Sequence, residues 1–85
     1  MFKWIKCSDQ LPEENGYYLV VKQIFNFQLM DVVRFTNNLY EVDEYDFPKD
    51  RYDGVSGWYE CDDEFGYYIL DNITHWSKLP PLPED

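Results

Sequence analysis

The sequence has few basic residues and no long apolar run. Seven lysines and arginines stand against 17 aspartates and glutamates, so the formal net charge is -10. A chain of this charge repels phosphate groups, and we expect no direct binding of DNA or RNA. The longest apolar run, Tyr17–Val21, is far too short to cross a bilayer. We therefore expect neither a nucleic-acid-binding protein nor a membrane protein.

Cysteine is also scarce, since only Cys7 and Cys61 are present and they are far apart in the chain. The residues that follow Met1 do not form the apolar region of a secretory signal. These features predict a cytoplasmic protein with reduced thiols. A Cys7–Cys61 disulfide stays open as the less favoured alternative.

Histidine occurs once, as His75. One imidazole and two thiols match no zinc motif, and no local motif supports a Cys–His nucleophile. The acids of Asp43–Gly54 lack the spacing of a calcium loop, and we interpret them as solvated side chains. We expect no metal, no cofactor and no enzymatic activity, with His75 bonded to backbone or a carboxylate inside the fold.

Aromatic residues, in contrast, make up 20% of the chain. Because each ring buries a large area, this content offsets the small core of an 85-residue chain. We expect residues 1–85 to fold as a single domain. The local patterns mostly predict strands: Met1–Lys6, Tyr17–Phe25, Gln28–Thr36, Leu39–Tyr45, Trp58–Cys61, Tyr67–Leu70 and Ile73–Trp76.

Turn signals connect these segments. Asn37–Asn38 and Asp71–Asn72 predict hairpin turns, Phe47–Gly57 predicts a surface loop, and Cys61–Gly66 predicts an acidic loop or one helical turn. The fold class is mainly β, or a small α+β fold with one short helix. We predict a curved antiparallel sheet of about five strands, and an SH3-like or partly open barrel is compatible with it.

Short motifs stand out near both ends and once in the middle of the chain: Trp4–Ile5, Leu11–Pro12, Gly16, Tyr18–Val21, Trp58–Tyr59, Thr74–Trp76, Leu79–Pro80 and Pro83. Together they resemble one family, a domain of unknown function that is common in bacteriophages and prophages. The resemblance implies a phage or prophage origin and implies no reaction. Residues 25–57 depart most from the pattern, so we expect any function special to this chain to lie there.

The acids are concentrated in the middle of the chain. Between Glu41 and Glu64 there are ten acids and two bases, whereas the rest of the chain has seven acids and five bases. Tyrosines and other aromatic residues are interleaved with these acids. We interpret the segment either as a solvated surface or as a surface that binds a basic protein. The predicted contact residues are Glu41, Asp43, Glu44, Tyr45, Asp46, Asp50, Tyr52, Asp53, Asp62, Asp63 and Glu64.

Two functions follow from these patterns. The first is a protein-interaction role, in which a small acidic phage protein binds and inhibits a basic host protein. That target would be a nucleic-acid-binding or defence protein. The carboxylates would imitate phosphates and occupy its phosphate-binding sites. The second is a small peptide- or metabolite-binding module with a pocket near Trp4, His75 and Trp76.

Overall fold

In the computed structural model, which describes residues 3–81 and 83, the chain forms one six-stranded antiparallel sheet. Two short helices lie between the third and fourth strands. The strands are β1 (Ile5–Lys6), β2 (Gly16–Ile24), β3 (Phe27–Thr36), β4 (Gly57–Asp62), β5 (Gly66–Leu70) and β6 (Ile73–Lys78). The helices are η1 (Leu39–Glu41), a 3-10 turn, and α1 (Lys49–Tyr52). Within the described ranges, no helix has the length and apolar content needed to span a membrane.

The strand order is β1-β6-β2-β3-β4-β5, so β5 and β6 stand four positions apart. Only Asp71–Asn72 joins them. A two-residue connection spans this separation only if the sheet curls until its β5 end approaches β6. The mainly β fold class and the curved sheet are thus confirmed, with six strands instead of about five. The predicted hairpin at Asp71–Asn72 is wrong, because β6 pairs with β1 and β2.

The core lies on the inner, concave face of the curved sheet. It consists of Tyr18, Val20, Val33, Phe35, Trp58 and Trp76. The rings meet mostly edge to face, as in the pair of Phe35 and Trp58, whose centroids are 4.9 Å apart. Leu70 and Ile73, which flank the short connection, pack against the same cluster. Aromatic side chains from separate strands therefore supply the burial that so short a chain requires.

Five predicted strands occur with small shifts of their ends. Tyr17–Phe25, Gln28–Thr36 and the three later segments correspond to β2, β3, β4, β5 and β6. The predicted strand Met1–Lys6 is observed as Ile5–Lys6, while Met1 and Phe2 lie outside the described residues. These segments carry alternating or continuous apolar residues, and such patterns depend on local sequence alone.

The predicted strand Leu39–Tyr45 and its hairpin turn are wrong. Leu39–Glu41 is a 3-10 turn that the Asn38 side chain caps by accepting a hydrogen bond from the Tyr40 amide. Asp43 Oδ1 then accepts a hydrogen bond from the Tyr45 amide at 2.8 Å. Asn and Asp side chains thus take backbone amides that a strand would need for its ladder.

The loop of residues 37–56 is also less exposed than the sequence predicts. Phe47, predicted to lie in a surface loop, is only 3% exposed, and Leu39 is 1% exposed. The Phe47 ring packs against Tyr52 and Tyr67, with centroid distances of 5.2 and 6.5 Å. These contacts form a second, small core between the loop and the outer face of β4 and β5. The loop is consequently held in one place on the sheet.

Candidate protein-interaction surface

The loop of residues 37–56 is fastened to the turn between β4 and β5 by Asp46. Its Oδ2 atom accepts a hydrogen bond from the Tyr67 backbone amide at 2.9 Å. A Cβ on Gly66 would lie 2.6 Å from the same oxygen, so the carboxylate sits directly against the turn. Two acidic segments that are distant in sequence thereby adjoin each other.

This junction creates one acidic surface with two exposed rings. We use the name acidic surface for Glu44, Tyr45, Asp46, Asp62, Asp63, Glu64 and Phe65. Tyr45 is 90% exposed and Phe65 is 81% exposed. Exposed rings beside carboxylates combine apolar contact area with long-range electrostatic attraction, which is the chemistry required to bind a basic protein.

Four of the predicted acids have structural bonds. Asp43 and Asp46 hold the loop, as described above. Asp62 Oδ1 accepts hydrogen bonds from the Glu64 and Phe65 amides at 2.7 and 3.2 Å, which closes the β4–β5 turn. Asp53 Oδ1 accepts one from the Asn38 side chain at 3.2 Å. These carboxylates shape the loop and the turn while still contributing charge.

The other five predicted acids are exposed and accept no hydrogen bond within the described ranges. They are Glu41, Glu44, Asp50, Asp63 and Glu64. Glu44, Asp63 and Glu64 belong to the acidic surface. Glu41 instead lines a groove of about 440 Å³ beside Tyr17 and Arg34, and Asp50 lies on α1. The structure thus brings together only part of the predicted site.

The basic residues near these acids are engaged by aromatic rings. Lys49 Nζ lies 5.9 Å from the Tyr40 ring centroid, and the Arg51 guanidinium lies 5.7 Å from that of Tyr52. Neither forms an ion pair within the described ranges, where the two salt bridges both belong to Lys22. The charge of the acidic surface is therefore not cancelled by direct ion pairs.

Arg34 is held in the same manner on the outer face of the sheet. Its guanidinium lies 4.9 Å from the Tyr59 ring centroid and 5.7 Å from those of Tyr17 and Tyr67. Burial raises the pKa of Tyr59, and the nearby Arg34 charge partly offsets that rise. These cation–π contacts connect side chains of β2, β3, β4 and β5 on the outer face of the sheet.

Tyr52, one of the predicted contact residues, is half-buried against Phe47 and stabilises the loop. Phe65 takes its place as an exposed ring, and sequence reasoning did not select it. Its position beside Asp62–Glu64 in a predicted acidic loop was the available signal. Exposure itself could not be inferred, because Phe47 stands in an equally polar stretch and is buried.

The residues of the second predicted site lie on two faces of the sheet. Trp76 is 4% exposed in the core, and its Nε1 donates a hydrogen bond to the Gln10 carbonyl at 2.8 Å. Ile5 pairs with Trp76 and packs against the same core. His75 pairs with Val21 on the outer face, where Trp4 also lies near Val21. The three predicted side chains do not converge on one pocket.

Comparison with known proteins relates the fold to a family. The family model described as a protein of unknown function, DUF551, matches residues 3–84. The chain belongs to the DUF551 family. No curated protein matches the chain, and no solved structure matches it. The match extends over nearly the whole chain, and the family description names no activity.

Proposed function

We propose that this DUF551 protein acts by protein–protein interaction and binds a basic protein through its acidic surface. The observation that carries the proposal is the Asp46–Tyr67 hydrogen bond, which joins two acidic segments beside exposed Tyr45 and Phe65. Carboxylates without direct ion pairs attract lysines and arginines over a long range, and exposed rings add contact once the partner docks.

The partner that this chemistry fits is a nucleic-acid-binding or defence protein of a bacterial host. Its lysines and arginines normally bind phosphates, and surface carboxylates occupy the same positions. Inhibition follows, because the partner loses access to nucleic acid. The resemblance to a phage and prophage family supports a phage origin and action in the host cytoplasm.

The test compares the wild-type protein with two triple variants that each remove three negative charges. Glu44→Gln, Asp63→Asn and Glu64→Gln together neutralise acids of the acidic surface that have no structural bond. Asp9→Asn, Glu13→Gln and Asp71→Asn together make the same charge change elsewhere, at exposed side chains. Each variant and the wild-type protein are used as bait in a low-salt bacterial lysate, followed by salt elution and mass identification.

The expected result is a basic protein that the wild type and the control triple variant retain and the surface triple variant loses. Its purified form should bind more weakly as salt rises, and duplex DNA should compete with the wild-type protein for it. Equal binding by the two triple variants would reject the proposal, because the position of the neutralised acids would then make no difference.

A further inference from the structure

The turn between β2 and β3 carries an exposed phenylalanine in a conformation that favours glycine. Ile24 pairs with Phe27, so Phe25 and Asn26 form a two-residue hairpin turn. Phe25 has φ +52, whereas Asn26 does not have a positive φ. Glycine is the usual residue at such a first turn position, and a bulky residue there is strained. The Phe25 side chain is nevertheless 96% exposed.

This turn is held in place by hydrogen bonds. Gln23 Nε2 donates to the Phe25 carbonyl at 2.9 Å. The Gln23 backbone forms two hydrogen bonds with Asn72, which directly precedes β6. Its amide donates to the Asn72 carbonyl at 2.9 Å, and its carbonyl accepts from Asn72 Nδ2 at 3.2 Å. The ring is therefore presented outward by an ordered hairpin.

The hairpin end is uncharged and exposes several apolar side chains. The eight residues from Gln23 to Met30 contain no ionisable side chain. Phe27 and Met30 are 53% and 67% exposed. Next to them, Lys22 Nζ lies 2.8 Å from Asp31 Oδ2 and 3.1 Å from Glu60 Oε1, so these charged groups are paired with one another. An exposed apolar hairpin end is unfavourable in water, in addition to the turn strain.

Charge indicates which kind of partner covers this hairpin end. The net charge of -10 opposes approach to an anionic lipid surface and to a second copy of the chain. β2 and β4 run in the same direction because both are antiparallel to β3. The turn that carries Asp62–Glu64 therefore faces the same end of the sheet as Phe25. The complementary partner is a protein with an apolar pocket beside basic side chains.

We propose that the β2–β3 hairpin inserts Phe25 into an apolar pocket of the basic protein that the acidic surface binds. The inference rests on the proposed function, since both features contact the same partner. Electrostatic attraction brings the partner to this end of the sheet, and the Phe25 ring then slows its dissociation. The hairpin end alone is small for a stable interface, so the two features act together.

The test separates the ring from the turn. Phe25→Gly and Phe25→Asn remove the ring while suiting a positive φ, and both are expected to raise the urea midpoint of unfolding. Phe25→Trp keeps a large apolar ring.

A photoreactive benzophenone amino acid at position 25 reports what the hairpin contacts in lysate at low and high salt. Flotation with phosphatidylcholine vesicles, with and without phosphatidylglycerol, measures binding to lipid. Sedimentation velocity measures self-association.

The expected result is a crosslink to the protein that the acidic surface binds. That protein, once purified, should bind Phe25→Gly and Phe25→Asn at least tenfold more weakly through faster dissociation, with an unchanged salt dependence. Phe25→Trp should retain affinity. A salt-eluted partner with no crosslink and no affinity loss would overturn this inference and leave the proposed function standing. A crosslink to a second copy of the chain, or to a protein that the acidic surface does not bind, would also overturn it. Vesicle binding that depends on Phe25 would do the same. Absence of both partner and crosslink would overturn both proposals.

Discussion

Asp46 accepts a hydrogen bond from the amide of Tyr67 across 21 residues of sequence, and this contact fastens the acidic loop to the β4–β5 turn. Gly66, which precedes Tyr67, has no side chain to obstruct the carboxylate. The acidic surface thus depends on one backbone amide, one carboxylate and one glycine. Changes at these positions should affect the loop before they affect the core.

Replacement of Asp46 tests whether this contact fixes the loop. Asp46→Ala should lower the free energy of unfolding by about 1 kcal/mol, because it leaves the Tyr67 amide without its acceptor. Hydrogen exchange measured by NMR should quicken at the Tyr67 amide. Asp50→Ala makes the same charge change at an exposed acid on α1 and should leave that exchange unaltered. Equal effects of the two substitutions would contradict the role given to Asp46.

Gly66 should be more sensitive than Gly54 to an added side chain. Both have positive φ, +82 and +79, but a Cβ at Gly54 meets nothing within 4 Å. Gly54→Ala should therefore cost about 1 kcal/mol from backbone strain alone. Gly66→Ala should cost clearly more, because its Cβ also displaces the Asp46 carboxylate. Urea unfolding of the two variants measures the difference, and equal costs would show that the carboxylate moves aside freely.

The ion pair of Lys22 and Asp31 should make stability depend on pH. The hydrogen bond from Lys22, and then that from the Val32 amide, lower the pKa of Asp31. A carboxyl whose pKa falls on folding stabilises the fold above its unfolded value, and this stability is lost as pH falls through the folded pKa. Because Asp31 is partly exposed, we expect Asp31→Asn to cost only about 0.5 kcal/mol at neutral pH. The difference from wild type should vanish once the pH lies below the folded pKa of Asp31.

Lys22 provides the matching test at high pH. Burial lowers its pKa, but the hydrogen bonds to Asp31 and Glu60 outweigh burial, so that the pKa is raised overall. Its contribution is complete below the ordinary lysine value and is lost as pH rises through the folded pKa. Urea unfolding of wild type and Asp31→Asn across pH measures both limits. A constant difference at all pH values would contradict the assignment.

The two buried tryptophans should respond differently to phenylalanine. Trp76 Nε1 donates to the Gln10 carbonyl, whereas Trp58 Nε1 finds no partner within hydrogen-bonding limits among the described residues. Trp76→Phe leaves a carbonyl without its donor, whereas Trp58→Phe removes an N–H whose neighbour is the Cys7 sulfur, a weak acceptor, outside hydrogen-bonding limits. We expect Trp76→Phe to cost about 1 kcal/mol more in chemical unfolding. A larger cost at Trp58 would contradict this ordering.

The two free cysteines should react with thiol reagents at different rates. Cys61 is exposed, whereas Cys7 packs beside the core, where burial raises the pKa of its thiol despite an opposing contribution from the Trp58 N–H. The thiolate is the reactive form, so Cys7 should react more slowly at pH 8. Cys61→Ser should remove the fast phase of a reaction with Ellman's reagent, and Cys7→Ser the slow phase. A single fast phase for both thiols would contradict the burial of Cys7.

Most strands could be predicted because their patterns are local. β2 and β6 follow from runs such as Tyr17–Val21 and Ile73–Trp76, whose β-branched and aromatic residues favour extended backbone. Leu39–Tyr45 also contains aromatic and β-branched residues, and for that reason the local composition wrongly predicts a strand there. There the side chains of Asn38 and Asp43 accept hydrogen bonds from the Tyr40 and Tyr45 amides. Whether such bonds form depends on the positions of individual atoms, which local composition does not reveal.

The acidic surface could be predicted only in part. The density of acids between Glu41 and Glu64 is visible in the sequence, and so are their tyrosine neighbours. Which carboxylates hold the loop and which remain without bonds follows from contacts such as Asp46 with Tyr67. The sequence predicts Phe25 as the last residue of a strand, whereas the structure places it in the turn after Ile24. Several residues near this point could end β2, so the pattern does not locate the turn.

The sequence by itself determined an acidic, aromatic, mainly β chain and located most of its strands, since periodicity and composition act over a few residues. Only the tertiary structure decided that β6 pairs with β1 and β2 and that Phe47 is buried. It also decided that Asp46 meets the β4–β5 turn and that Phe25 stands exposed at a strained one. Those outcomes depend on contacts between distant segments and on the curl of the whole sheet, which no short stretch of sequence encodes.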